Sequence, residues 1–70
     1  MDGGADLYIV VEFDPETGQS HVLFPRFSMV QVHETLDSAE EHRNWYVKAV
    51  YQEDPGAGDR LVRIYRLEAV

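Results

Sequence analysis

The sequence predicts an α+β domain: a small, mostly antiparallel sheet of three or four strands with one helix packed on one face, in the order β-β-(β)-α-β. Three observations carry this. Leu7 to Phe13 alternates in strand period, Asp14-Pro15-Glu16-Thr17-Gly18 is a turn sequence, and Asp37-Ser38 opens a stretch whose apolar residues recur with helical period.

In the first strand, Leu7, Ile9, Val11 and Phe13 form a wholly apolar parity, while Tyr8, Val10 and Glu12 form the other. The apolar parity is expected to face the core. In the turn, Asp14 suits the first position, Pro15 fixes φ at the second, and Gly18 supplies the left-handed conformation that closes a hairpin. Ser20 to Phe24 is the expected return strand. A four-residue loop sets Ile9 opposite Val22 and Leu7 opposite Phe24, whereas a bulge at Gly18 shifts the register by one and turns His21 and Leu23 inward.

After Pro25, Phe27 to His33 reads as a third strand with apolar residues on both faces, so the pattern does not choose the buried one. For the helix, Asp37 and Ser38 are both good N-caps, each followed three residues later by a glutamate (Glu40, Glu41). At 100° per residue Ala39, His42, Tyr46, Ala49 and Val50 fall on one stripe, with Glu40, Glu41, Asn44, Lys48 and Gln52 opposite and Trp45 and Tyr51 on the flanks. The helix should stop before Pro55. Gly56-Ala57-Gly58 reads as a connector and Leu61 to Leu67 as a last strand. The sheet face away from the helix, expected to carry Tyr8, Val10 and Leu23, has nothing left in the chain to cover it.

Seventy residues form a single domain, residues 1–70, with a flexible acidic start at 1–6. A chain of this size has a thin core, and homodimerisation is a common remedy. Cysteine is absent, as expected of a protein in a reducing cytosol, and the longest apolar run is far too short to cross a bilayer. Thirteen acids against six lysines and arginines give a net charge of −7. Eleven of the acids lie in residues 1–54, while Arg60, Arg63 and Arg66 make the last segment slightly basic. That balance disfavours direct contact with nucleic acid or an anionic membrane and favours a basic partner.

No motif points to catalysis, a cofactor or a metal. His33-Glu34 and Glu41-His42 lack any recognised ligand spacing, and His42 falls on the core stripe. The glycine-rich stretch at 56–58 follows a helix, the wrong context for a phosphate loop. Ser20, Ser28 and Ser38 sit in no nucleophile elbow. Arg60, Arg63 and Arg66 alternate faces on a strand, where charges discourage edge-to-edge association or pair with acids. The expected partner-binding residues are Glu34, Asp37, Glu40 and Glu41 around the helix start, with Trp45 and Tyr51 as aromatic anchors. Asp14 and Glu16 at the hairpin tip, with Glu53 and Asp54 at the helix end, extend the acidic surface. Rigidly held carboxylates of this kind occupy positions that DNA phosphates would take on a basic protein, although a solvated helix face has the same composition.

The turn Asp14-Pro15-Glu16-Thr17-Gly18, the helix start Leu36-Asp37-Ser38 with Glu40-Glu41 and Trp45, and the short final strand resemble small accessory proteins of bacteriophages, most closely those of the anti-CRISPR type. The resemblance implies a compact, non-enzymatic inhibitor in the host bacterial cytoplasm. It would block a basic protein or ribonucleoprotein complex of the host from binding DNA. A small structural or regulatory homodimer is the alternative.

Overall fold

The hairpin that Asp14 and Gly18 announce is present in a computed structural model that describes residues 6–25 and 30–68. Its strands are β1 (Leu7–Asp14) and β2 (Gln19–Val22). Gly18 N–H donates to Asp14 O at 2.8 Å, Glu16 N–H donates to the Asp14 carboxylate, and Gly18 has φ 75°. Asp14 pairs with Gln19, so the loop is the four residues between them. Val22 lies opposite Val11, two residues from the expected position at Ile9. A shift of two preserves parity, so the bulged alternative does not occur; Leu23 still turns toward the core, because it lies opposite Val10 and the buried face of β1 is the even one.

β1 is the central strand, because β3 (Val62–Leu67) pairs antiparallel along its other side and the sheet order is β2-β1-β3. Of the expected strand Phe27 to His33, residues 27–29 lie outside the described ones. Only His33 of the remainder joins the sheet, exchanging two hydrogen bonds with Tyr8 where β2 has already ended.

Two helices cover the sheet, not one. α1 (Leu36–Val50) is capped by Thr35, whose hydroxyl accepts from Ser38 N–H at 3.1 Å, so neither Asp37 nor Ser38 is the cap. Thr35 wins because its backbone is extended (φ −133°, ψ 153°), while Ser38 Oγ is engaged with His33. α2 (Pro55–Leu61) replaces the expected glycine-rich connector. Asp54 caps it by accepting from Ala57 N–H, and Pro55 occupies the first turn, where its missing donor costs nothing.

The core corrects the expected face of β1. Val10 and Val62 are fully buried against Ala39 and Val47, with Tyr8, Leu23, Tyr46, Tyr51 and Ile64 packed around them. The helices therefore lie on the Tyr8–Val10–Glu12 face. Leu7, Ile9, Val11 and Phe13 line the open one, where Phe13 is 41% exposed. Both parities of β1 are apolar enough to be buried, and the polar groups under α1 decide between them. Its underside carries His42, Arg43 and Tyr46, and only the even face offers Glu12 as a partner. The buried helix stripe is accordingly Ala39, His42 and Val47, while Ala49 and Val50 are exposed.

α2 crosses α1 at Gly58, which is buried. A Cβ there would meet Val47 Cγ1 at 2.5 Å and Tyr51 Cβ at 3.1 Å. Gly58→Ala should therefore destabilise the fold by about 1–3 kcal/mol through overpacking. Gly56→Ala, whose Cβ meets nothing closer than 3.6 Å, should be neutral or stabilise by up to about 1 kcal/mol through helix propensity. Denaturant midpoints of the two variants check the crossing.

Candidate functional site

Helical geometry sorts the expected partner-binding residues. Asp37, Glu41 and Trp45 follow at intervals of four, so they form one row along α1, with Glu34 just ahead of the Thr35 cap. All four are exposed, Trp45 by 41%. The row lies on the side of the helix away from the buried Ala39, His42 and Val47, with Trp45 nearest the flank. Glu40 is exposed one step around the helix, toward β3, where it lines a groove with Arg43, Asn44 and Ile64. None of the carboxylates of Glu34, Asp37, Glu40 and Glu41 forms an ion pair or hydrogen bond with a described residue. Tyr51 does not join them. It caps the C-terminus of α1 half-buried, with its hydroxyl turned to the sheet.

There it helps to form a polar cluster that strand periodicity does not reveal. Glu12, on the covered face of β1, accepts from Tyr46 Oη at 2.8 Å and from Tyr51 Oη at 2.5 Å, one phenol on each oxygen. Burial, then the bond to Glu12, pushes the Tyr46 phenol well above its ordinary range. The bond to Glu12 and then burial raise Tyr51 to about 12. Both phenols remain neutral donors at any physiological pH. Charge-assisted bonds of this kind are stronger than neutral ones. Arg43 makes a second tie, donating Nε–H to Val62 O at 2.9 Å and pairing with Asp59 at 3.1 Å.

The third tie is a buried histidine pair. His33 and His42 are 6% and 7% exposed, and His33 Nε2 lies 3.0 Å from His42 Nδ1. Ser38 Oγ is 2.8 Å from His33 Nδ1, and His42 also bonds the Phe24 backbone. With both rings neutral, one assignment gives every contact a single donor. The Ser38 hydroxyl donates to His33, His33 to His42, and His42 to the Phe24 carbonyl. This chain joins α1 to the segments on either side of residues 26–29. Burial lowers both histidine pKa values, and for His42 the neighbouring His33 lowers it further.

Serine, histidine and a third orienting group are also the parts of a nucleophilic site. Here the third group is a neutral imidazole with no carboxylate behind it, so an imidazolium formed on His33 would be poorly stabilised. The arrangement suits a structural tie. Among the described residues, no group of three or more His, Asp or Glu is placed to hold a metal ion, and no helix is long and apolar enough to cross a membrane. The remaining histidine, His21, is exposed on β2 opposite Glu12.

No protein-family model, curated protein or solved structure matches the chain.

The histidine pair sets an acid limit to stability. Both rings have folded-state pKa values below the ordinary 6.5, so the unfolded chain takes up protons first. Stability is full above about pH 6.5 and declines as the pH falls below it. Denaturant midpoints measured from about pH 7.5 down to about pH 5 should decrease, and a flat profile would contradict the neutral pair. Tyr46→Phe should cost about 1–2 kcal/mol by removing one donor from Glu12.

Proposed function

We propose that this chain is a non-enzymatic protein-binding module that presents an acidic helix face to a basic partner. In its most specific form it is an inhibitor of the small phage-encoded anti-CRISPR type, acting on a protein or ribonucleoprotein complex of a bacterial host. The observation that supports this is the row Glu34, Asp37, Glu41 and Trp45, with Glu40 beside it, on the solvent side of a helix fastened to its sheet by three polar ties. A fixed helix holds carboxylates at set spacings without further loss of backbone conformational entropy on binding. Those carboxylates form no bond to a described residue, so their charge is available to a partner. A basic surface that normally holds DNA phosphates would gain from them as it does from DNA, and access to DNA would be blocked. Trp45 supplies aromatic contact area at the end of the row.

A second reading rests on the open sheet face, where Leu7, Ile9, Val11 and Phe13 meet Tyr65 and Leu67, with Arg63 the one charged side chain on these strand positions. A homodimer would bury it. Sedimentation at high micromolar concentration separates the two, since Ile9→Glu would abolish a dimer built there and leave the acidic row intact.

For the inhibitor, affinity for its target should fall on the order of tenfold or more between about 50 mM and about 500 mM salt. Charge reversal at Asp37 and Glu41 should weaken it similarly while leaving the melting temperature close to that of the parent. Salt-independent binding, or full activity of the Asp37→Lys/Glu41→Lys variant, contradicts the reading. Titration should end at a fixed molar ratio, whereas an enzyme would inactivate excess target.

A further inference from the structure

The outer edge of β3 has backbone groups that nothing in the described fold uses. In an antiparallel strand the N–H and C=O of one residue point to the same side, and successive residues alternate. Tyr8 exchanges both its bonds with His33, and Val10 O accepts from Leu23 N–H. The even residues of β1 therefore point toward β2, and Leu7, Ile9 and Val11 point toward β3. Their partners are Leu67, Tyr65 and Arg63. On β3 these three bond inward, so Val62, Ile64 and Arg66 point outward. Val62 confirms the direction, since its N–H donates to Gly58 O and its carbonyl accepts from Arg43 Nε. Ile64 and Arg66 are left with two N–H and two C=O groups that meet no described residue.

Beside this edge runs an open groove of about 410 Å³ between β3 and α1, lined by Glu40, Arg43, Asn44, Asp59, Arg63 and Ile64. α1 forms one wall and the strand edge the other. Of its four charged side chains two are matched, Arg43 with Asp59; farther along the strand Arg66 pairs with Glu68 at 2.6 Å. The other two in the groove are not matched. Glu40 has no partner among the described residues, and the bond of Arg63 goes to the neutral carbonyl of Arg60. By strand parity Arg63 belongs to the open side of the sheet, and Glu40 stands on the helix side.

We propose that the β3 edge is a strand-addition site for a short extended segment of a different polypeptide. The segment pairs its backbone with Ile64 and Arg66, directs a basic side chain to Glu40, and directs an acidic one to Arg63. Unpaired strand groups in a row are met fully only by another strand. A second copy of β3 is the poorer occupant. Antiparallel pairing of Ile64 with Ile64 or Arg66 of the copy sets Tyr65 or Leu67 opposite Arg63, so the copy brings no acid to that side. A heterologous strand with charges of opposite sign on its two faces supplies a partner to both Glu40 and Arg63. The proposal shares only Glu40 with the acidic surface, since Glu34, Asp37, Glu41 and Trp45 take no part in it.

The test uses the full chain and a synthetic probe, acetyl-Thr-Glu-Val-Val-Lys-Val-amide, with a fully N-methylated counterpart that keeps the side chains and has no N–H. In the free protein at low concentration the amides of Ile64 and Arg66 should exchange fast and that of Tyr65 slowly. Saturating probe should slow Ile64 and Arg66 on the order of tenfold or more and leave Tyr65 unchanged. Arg66→Pro should fold, because proline is accepted on an edge strand whose N–H faces solvent, whereas Tyr65→Pro should unfold the sheet. Arg66→Pro, Glu40→Lys and the N-methylated probe should each weaken binding on the order of tenfold. The proposal is overturned if the free protein already protects Ile64 and Arg66, if that protection grows with protein concentration and without probe (a second copy on the edge), or if Arg66→Pro does not fold. It is equally overturned if the probe leaves these amides unchanged, or if the N-methylated probe binds as well as the parent.

Discussion

The fastening of α1 to the even-numbered face of β1 is the interaction on which the rest of this molecule depends. Its apolar part is slight: among the described residues only Val10, Ala39, Val47 and Val62 form the buried apolar cluster. A contact so small leaves a helix free to roll or slide at little cost. The polar ties remove that freedom, because a buried hydrogen bond left unmade costs more than its formation contributes. Glu12 takes Tyr46 and Tyr51, Arg43 reaches Val62 and Asp59, and the two histidines join α1 to the chain at Phe24 and His33. They lie at the two ends and the middle of the helix, so tilt and rotation are both determined.

The surfaces follow from that rotation. With Ala39, His42 and Val47 inward, the Asp37–Glu41–Trp45 row must face solvent. With the even face of β1 covered, its wholly apolar face is left open beside Tyr65 and Leu67. The edge of β3 is shaped by the same clamp. Arg43 and the end of α2 use the outward groups of Val62, and both elements have passed by the time the chain reaches Ile64 and Arg66.

Much of the fold was legible in the sequence, and the errors share a cause. The α+β class, the hairpin, the helix and the last strand follow from period and turn chemistry. The buried parity of β1 was inverted because hydrophobic alternation weighs only apolar residues. Leu7, Ile9, Val11 and Phe13 win that comparison, yet the helix needed a carboxylate for its phenols, and that need acts across more than thirty residues of chain. α2 was missed through its glycines, although Asp54-Pro55 is the cap-and-first-turn signature of a helix start. The exposure of Glu34, Asp37, Glu40 and Glu41 was readable because their carboxylates bond to no described residue. Tyr51 was assigned to them by helical angle alone, and its hydroxyl lies elsewhere. The core position of His42 was legible, but its bond to His33 and the pairing of β3 beside β1 were not, since each is made by segments that meet only in the folded chain.

Methyl contacts under α1 test the clamp most directly. Nuclear Overhauser effects measured on methyl-labelled protein should connect Ala39 and Val47 to Val10 and Val62, with none from Ala39 to Ile9 or Val11. Contacts from Ala39 to Ile9 or Val11 would put the helix on the other face of the sheet, and with it would go the acidic row and the open apolar face. Should the even-face contacts appear and the odd-face ones be absent, the rotation of α1 and every surface derived from it stand as described.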